Sequence, residues 1–196
     1  MRDRDIRIAL KQEFSSIFST EPDTIIIDEV GLCGGSARID IAVVNGTING
    51  YEIKSESDTL ERLPGQQEIY NKTLDNVTVI TSGCHIEKIR KQIPIWWGII
   101  EASEEHDGIS FRVIREPANN PSVDPYSLVQ LLWRDEAIDI LESRGLSEGI
   151  LCKPRRVLWQ KLVDSLSVEE LRDIVRECIK ARKNWRVAQL QKSDGG

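Results

Sequence analysis

The segment of residues 37–56, ARIDIAVVNGTINGYEIKSE, constrains the fold most, because it predicts a β-hairpin with charged residues at fixed positions. Side chains alternate between the two faces of a strand, so Glu52 and Lys54 share one face. A three-residue loop at residues 45–47 would place Asp40 opposite Glu52, with Cβ atoms about 5 Å apart. A two-residue turn at residues 45 and 46 would instead put Asp40 and Glu52 on opposite faces of the sheet. The function therefore depends on the register of this hairpin.

Two facing carboxylates repel each other, and hard oxygen ligands suit Mg²⁺ or Mn²⁺, so a divalent cation is the expected compensating charge. On this reasoning, Glu52→Gln should leave the metal-free protein as stable as before or more so. Two acids, a lysine and a metal suit phosphodiester hydrolysis, because the cation activates water and the ammonium stabilises developing negative charge. We therefore predict that Asp40, Glu52 and Lys54 are catalytic.

The D…ExK pattern, on adjacent strands after a helix and a first strand, resembles the PD-(D/E)xK nuclease superfamily over residues 4–116. The resemblance implies a restriction-endonuclease-like α/β core, with a mixed central sheet flanked by helices in the order α-β-β-β-α-β. It also implies that Mg²⁺ (or Mn²⁺) is bound by Asp40, Glu52 and the carbonyl of Ile53. Glu13, in the preceding amphipathic helix, is at the place where this superfamily often supplies one more carboxylate.

Gln66 and Tyr70 are one helical turn apart, and this Q-x-x-x-Y spacing is similar to that of the RecB-like and Cas4-like branch, where such residues contact DNA. The alternative is that they pack or solvate as an ordinary helix pair. Arg38 shares the face of Asp40 and either contacts phosphate or pairs with the acids. Arg62 is a further candidate substrate contact. The wider pattern is also similar to that of a bacterial family of small uncharacterised proteins in this superfamily.

Composition and charge limit the class of protein, its expected compartment and its expected partners. The chain has 196 residues and four isolated cysteines, and the sequence contains no apolar run of membrane-spanning length. We therefore expect a cytoplasmic protein with reduced thiols, no zinc site and no membrane partner. The net charge of −6 argues against bulk electrostatic binding of nucleic acid. A basic stretch at residues 179–192 is either a phosphate-contacting surface or a solvated helix end.

The chain is predicted to divide into a nuclease-like core at 1–117, a linker at 118–125 and a C-terminal helical subdomain at 126–196. In the core we predict helices at 6–18 and 85–92, a helix from Pro64 to about Asp75, and strands outside the hairpin at 24–30, 77–81, 96–102 and 109–115. In the subdomain we predict helices at 126–144 and 154–165, and a third that starts at a capping box of Ser167 and Glu170 and runs to about residue 190.

These patterns predict a divalent-metal-dependent nuclease that hydrolyses phosphodiester bonds, with DNA as the favoured substrate. The alternative is a catalytically silent nuclease-fold module that binds nucleic acid or protein in a mobile-element or defence system. The C-terminal helices would then bind DNA, a second copy of the chain or another protein, or would simply cover the core.

Overall fold

A computed structural model describes residues 1–182 and contains one six-stranded mixed sheet with strand order β1 to β6. The strands are β1 (Ile25–Leu32), β2 (Ala37–Val44), β3 (Ile48–Lys54), β4 (Asn76–Thr81), β5 (Gly98–Glu105) and β6 (Gly108–Arg115). Strands β3, β4 and β5 run parallel to one another, and all other neighbours are antiparallel. The predicted mixed α/β class is confirmed.

Seven α-helices accompany this sheet within residues 1–182. They are α1 (Asp3–Ile17), α2 (Leu63–Thr73), α3 (Ile86–Gln92), α4 (Pro125–Val129), α5 (Arg134–Ser143), α6 (Arg155–Ser165) and α7 (Val168–Ala181). The order α1-β1-β2-β3-α2-β4 is the α-β-β-β-α-β order expected from the sequence. None of the helices in this part of the chain is long and apolar enough to cross a membrane. All four cysteines are free thiols.

The β2–β3 hairpin has the register predicted for a three-residue loop. Val44 pairs with Ile48 and Ala42 with Gly50, and the Asn45 amide donates to the Thr47 carbonyl at 3.1 Å across the loop. The ladder between β2 and β3 extends to the pair Ile41 and Tyr51, so Asp40 and Glu52 are the next residue on each strand. The register that a two-residue turn would give is therefore excluded.

Both faces of the sheet are covered by helices. Helix α1 packs Ile6, Leu10 and Phe14 onto one face. The other face carries α2 and the C-terminal helices, which belong to a single hydrophobic core with the strands. Gly50 lies beneath the end of α2, where a Cβ atom would come within 2.5 Å of the Leu74 Cδ1 atom. This close approach sets α2 directly over the face of β3 that carries Glu52 and Lys54.

Residues 118–125, predicted as a linker, are held against the core. Asn120 is buried and its side-chain amide donates to the carbonyls of Asn71 and Leu74, at 2.7 and 2.8 Å. The backbone amide of Asp124 also donates to the carbonyl of Lys72, at 2.9 Å. The C-terminal helices are thus fixed to α2 rather than tethered loosely.

Three predicted elements differ from the structure. The single helix predicted at 126–144 is broken between Val129 and Arg134, where the side chain of Glu136 accepts the Trp133 amide at 2.7 Å and starts α5. Strand β5 begins at Gly98 rather than at residue 96. The preceding Trp97 lies in a turn, fully buried, with its indole N–H donating to Asn71 at 2.9 Å.

The capping box of α7 is confirmed, but its helix ends at Ala181. The remaining predicted length, at residues 183–190, lies outside the described residues.

Candidate active site

Glu52 and Lys54 form a buried ion pair on the α2 face of β3. Their relative exposures are 2% and 4%, and the Lys54 Nζ atom lies 2.6 Å from Glu52 Oε1. Burying two charges is costly unless further hydrogen bonds satisfy them. Gln66 completes the set, because its amide oxygen accepts from Lys54 at 3.1 Å and its amide nitrogen donates to Glu52 at 2.6 Å. The three side chains are thus joined in one polar network.

Tyr70 is the fourth member of this network. Its hydroxyl lies 2.7 Å from Glu52 Oε2 and 2.8 Å from the Arg38 carbonyl, and these two acceptors share its single proton. Burial, followed by the charge of Glu52, raises the pKa of Tyr70, so the phenol stays a neutral donor. Tyr70 is fully buried. It was predicted as a substrate contact, but the structure makes it a support for Glu52 with no surface for a substrate, because α2 packs it into the core.

Asp40 is held by two donors. Its Oδ2 accepts the backbone amide of Ile53 at 2.8 Å, and its Oδ1 lies 2.7 Å from the Arg7 Nη2 atom. Arg7 also donates to the Asp40 carbonyl at 2.9 Å. In an extended strand the N–H and C=O of one residue point to the same edge, so the Ile53 carbonyl points toward Asp40. Sequence reasoning missed Arg7, because no local pattern links residues 33 positions apart.

The electrostatics show that the acids lie close enough to interact. Burial raises the pKa of Glu52, and the charge of Asp40 raises it further, while Lys54 opposes both effects. Burial and the charge of Asp40 likewise raise the pKa of Asp3, whose carboxylate is 3.5 Å from Arg7. The carboxylates therefore repel one another, and extra positive charge here would be favourable.

The donor set fits a hard divalent cation. Asp40, Glu52 and the Ile53 carbonyl supply only oxygen, which Mg²⁺ and Mn²⁺ prefer. Each carboxylate has about four lone-pair positions, so the present hydrogen bonds do not exhaust its capacity. Arg7 already shares Oδ1 of Asp40 and would share or give up that oxygen when a cation binds. Arg7 and Lys54 each neutralise one of the two acids, so both carboxylates have a counter-charge from the protein itself.

These side chains open into a cleft of about 1240 Å³. Its wall includes Asp40, Glu52, Lys54 and Gln66 from the sheet and α2. It also includes residues of the C-terminal helices and of the break between α4 and α5, namely Gln130, Leu131, Leu132, Trp133, Arg155, Trp159 and Arg182. The cleft therefore lies between the predicted nuclease core and the C-terminal helices, and both contribute to it.

The remaining predicted site residues fall in different places. Arg38 and Arg62 line the cleft and are exposed, and Arg38 is 3.7 Å from Glu29. Glu13 is exposed on α1, six residues and about 9 Å along the helix axis from Arg7. The structure does not bring Glu13 to the cluster. Its place near the acids is taken by Asp3, one helical turn before Arg7.

The basic C-terminal stretch is only partly described. Lys180 is 2.6 Å from Asp23 and 2.7 Å from Glu177, away from the cleft lining. The Arg182 side chain is 3% exposed and forms an ion pair with Glu136. The two basic residues that are described thus have protein partners. The others, Lys183, Arg186 and Lys192, lie outside the described residues.

Comparison with known proteins places the chain in a family. The family model described as bacteriophage P4 protein cII matches residues 2–193. Protein cII of Enterobacteria phage P4 is 26% identical over 182 residues, which cover 93% of this chain and 68% of the phage protein. The solved structure of the SPO1766 protein of unknown function from Silicibacter pomeroyi aligns with a TM-score of 0.42 and 16% identity, over 72% of this chain and 93% of that one. On the family match, the chain belongs to the bacteriophage P4 protein cII family.

Proposed function

We propose that this protein is a divalent-metal-dependent nuclease with a restriction-endonuclease-like core, and that DNA is its favoured substrate. One observation carries the proposal: the buried Glu52–Lys54 pair lies beside Asp40 on the wall of a large cleft. A buried ion pair adds little to stability compared with apolar packing. Glu52, a buried acid with a raised pKa next to a second acid in a cleft, is therefore better explained by function than by the needs of the fold.

In this proposal some residues hold the metal ion, and Lys54 acts on the attacking water or the phosphate. A divalent cation held by Asp40, Glu52 and the Ile53 carbonyl would supply charge for a phosphate oxygen and lower the pKa of a bound water. The Lys54 ammonium has three N–H donors, and Glu52 and Gln66 accept two of them. The third remains for the attacking water or for a phosphate oxygen as its negative charge grows. Gln66 fixes the direction of that ammonium.

The test is hydrolysis of labelled single-stranded, double-stranded and branched DNA and of RNA, with Mg²⁺, Mn²⁺ or EDTA. We expect cleavage that requires the metal and collapses in Lys54→Met with little change in substrate affinity, because Lys54 acts mainly as charge develops. Lys11→Met is the matched control, since Lys11 pairs with Asp28 at 2.6 Å outside the cleft lining. Equal activity in wild type and Lys54→Met would reject the catalytic role.

A second candidate is a catalytically silent module that binds nucleic acid or protein. It is favoured by the pairing of each acid with a cation of the protein, Asp40 with Arg7 and Glu52 with Lys54, which satisfies the charges without a metal. The relative from phage P4 is compatible with a role in a mobile genetic element. This candidate predicts nucleic-acid binding with no cleavage and a melting temperature that millimolar Mg²⁺ or Mn²⁺ does not change.

A further inference from the structure

Resting on the proposed nucleic-acid function, we propose that Arg155 and Arg62 bind the phosphate backbone of a nucleic-acid strand lying in the cleft. Arg62 immediately precedes α2, whereas Arg155 is the first residue of α6. Arg62 therefore reaches the cleft from the predicted nuclease core, and Arg155 reaches it from the C-terminal helices. On this proposal the C-terminal helices complete the substrate site.

The size of the cleft favours a polymeric ligand. Pockets for small molecules usually enclose about 300–1,000 Å³. The volume here, about 1240 Å³, exceeds that range, and the cleft is lined by residues from β1 to β3, α2 and the C-terminal helices. A strand that extends beyond the reacting phosphate would have room to contact both arginines.

Arg155 is held in place by an aromatic platform. Its guanidinium carbon lies 4.6 Å from the ring centroid of Trp159. Trp159 is buried, with its indole N–H donating to the Leu132 carbonyl at 3.3 Å. A guanidinium stacked on a fixed ring loses less freedom on binding and still offers its N–H edge to a phosphate. The platform thus orients Arg155 before the ligand arrives.

In the described part of the chain, the charges of the two arginines are not neutralised by ion pairs. Among residues 1–182, neither Arg62 nor Arg155 has a carboxylate at ion-pair distance, and both are exposed. Arg7 and Arg182, which line the same cleft, are engaged with Asp40 and Glu136. Planar guanidinium groups bind phosphate through paired hydrogen bonds, so free arginines in this position suit a phosphodiester backbone.

The acidic residues that line the cleft prevent its electrostatic potential from being uniformly positive. Asp58 and Glu61 line it together with Asp40 and Glu52. Attraction of a polyanion must therefore come from particular contacts rather than from a uniformly positive surface. This is compatible with the net charge of −6.

The experiment measures binding without catalysis. Fluorescence anisotropy of labelled single-stranded and double-stranded DNA is recorded in EDTA for wild type, Arg62→Ala, Arg155→Ala and the double variant. Arg156→Ala is the control, because Arg156 is exposed next to Arg155 on α6 but does not line the cleft. Melting curves of the same samples confirm folding.

We expect the double variant to lose about tenfold in affinity on all sequences, and each single variant to lose part of this. The slope of log K against log salt should flatten by about 0.7–0.9 per arginine, because fewer counterions are released. Arg156→Ala should stay within about twofold of wild type. Inorganic pyrophosphate at the same phosphate concentration should compete far less well than unlabelled DNA.

Unchanged affinity and salt slope in the double variant would overturn the proposal, and so would an equal loss in Arg156→Ala. Absence of any DNA binding by the wild type would overturn it too, as would equal competition by pyrophosphate, which indicates a free-phosphate site. Failure of the nuclease proposal gives a different result. In that case hydrolysis is absent, while the loss of binding in the arginine variants remains.

Discussion

The Arg7 Nη2 atom lies 2.7 Å from Asp40 Oδ1, so the first turns of α1 are tied directly to the strand that carries the first acid of the site. The second amino group of Arg7 donates to the Asp40 carbonyl, which fixes both the backbone and the side chain of that residue. Arg7 thus occupies an oxygen that a bound cation would use. Metal and arginine are expected to compete for Asp40.

This competition predicts the effect of Arg7→Ala. The change leaves the charge of Asp40 uncompensated near Asp3 and Glu52, so the metal-free protein should lose about 1–2 kcal/mol of unfolding free energy. Added Mg²⁺ should then raise the melting temperature of the variant more than that of wild type. Thermal melts with and without Mg²⁺ measure both effects. Arg4→Ala, an exposed neighbour on α1, is the control.

An equal response to Mg²⁺ in Arg7→Ala and wild type would show that Arg7 does not compete with a cation. A larger response in the Arg4→Ala control would indicate a general effect of removing positive charge from α1.

A second prediction concerns Glu52→Gln. Two facing acids alone would make this change neutral or stabilising. The structure predicts the opposite, because Lys54 would remain buried without its anionic partner. We expect a loss of about 3–5 kcal/mol, measured by urea unfolding. The double variant Glu52→Gln with Lys54→Met should recover much of this loss, since it removes both charges. A single variant as stable as wild type would contradict the buried pair.

A third prediction tests whether Tyr70 supports Glu52 or contacts the substrate directly. Tyr70→Phe keeps the buried ring but removes the hydroxyl that serves Glu52 and the Arg38 carbonyl. We expect a loss of about 1–2 kcal/mol in stability and a lower kcat with unchanged DNA affinity. Tyr126→Phe is the matched control in the C-terminal helices. A fall in affinity alone would favour the direct DNA contact predicted from the sequence.

The sequence best predicts those parts of the candidate site in which the residues are close together along the chain. Strand alternation and the loop at residues 45–47 determine the hairpin register, and helical spacing places Gln66 and Tyr70 on one side of α2. The ion pair of Arg7 with Asp40 depends on how α1 crosses the sheet, which no local pattern encodes. Arg155 was missed for the same reason, because only tertiary packing brings α6 to the cleft.

Helix boundaries in the C-terminal region show a related difficulty. The apolar spacing continues through Leu131 and Leu132, so it predicts one helix where the structure has α4 and α5. These two leucines are buried although they lie in the break. Periodicity records which residues are buried, but here burial comes from contact with other helices rather than from an unbroken helix.

The last prediction concerns how the C-terminal helices are joined to the sheet. Asp75 is buried and accepts the Ile48 amide at 2.8 Å, at the start of the strand that carries Glu52. Its carboxylate also lies 3.1 Å from Arg172 and 3.9 Å from Arg176 on α7. Asp75→Asn removes the negative charge that these two arginines share. We expect a loss of about 3 kcal/mol in a single unfolding transition.

The control for this change is Asp173→Asn, because Asp173 pairs with Arg176 on the exposed side of α7. Its effect should stay below about 1 kcal/mol. Asp75 does not line the cleft, so the folded Asp75→Asn variant should keep wild-type cleavage and DNA affinity below its melting temperature. Two separate transitions in the wild type would contradict the shared core, because they would show the C-terminal helices unfolding independently of the sheet.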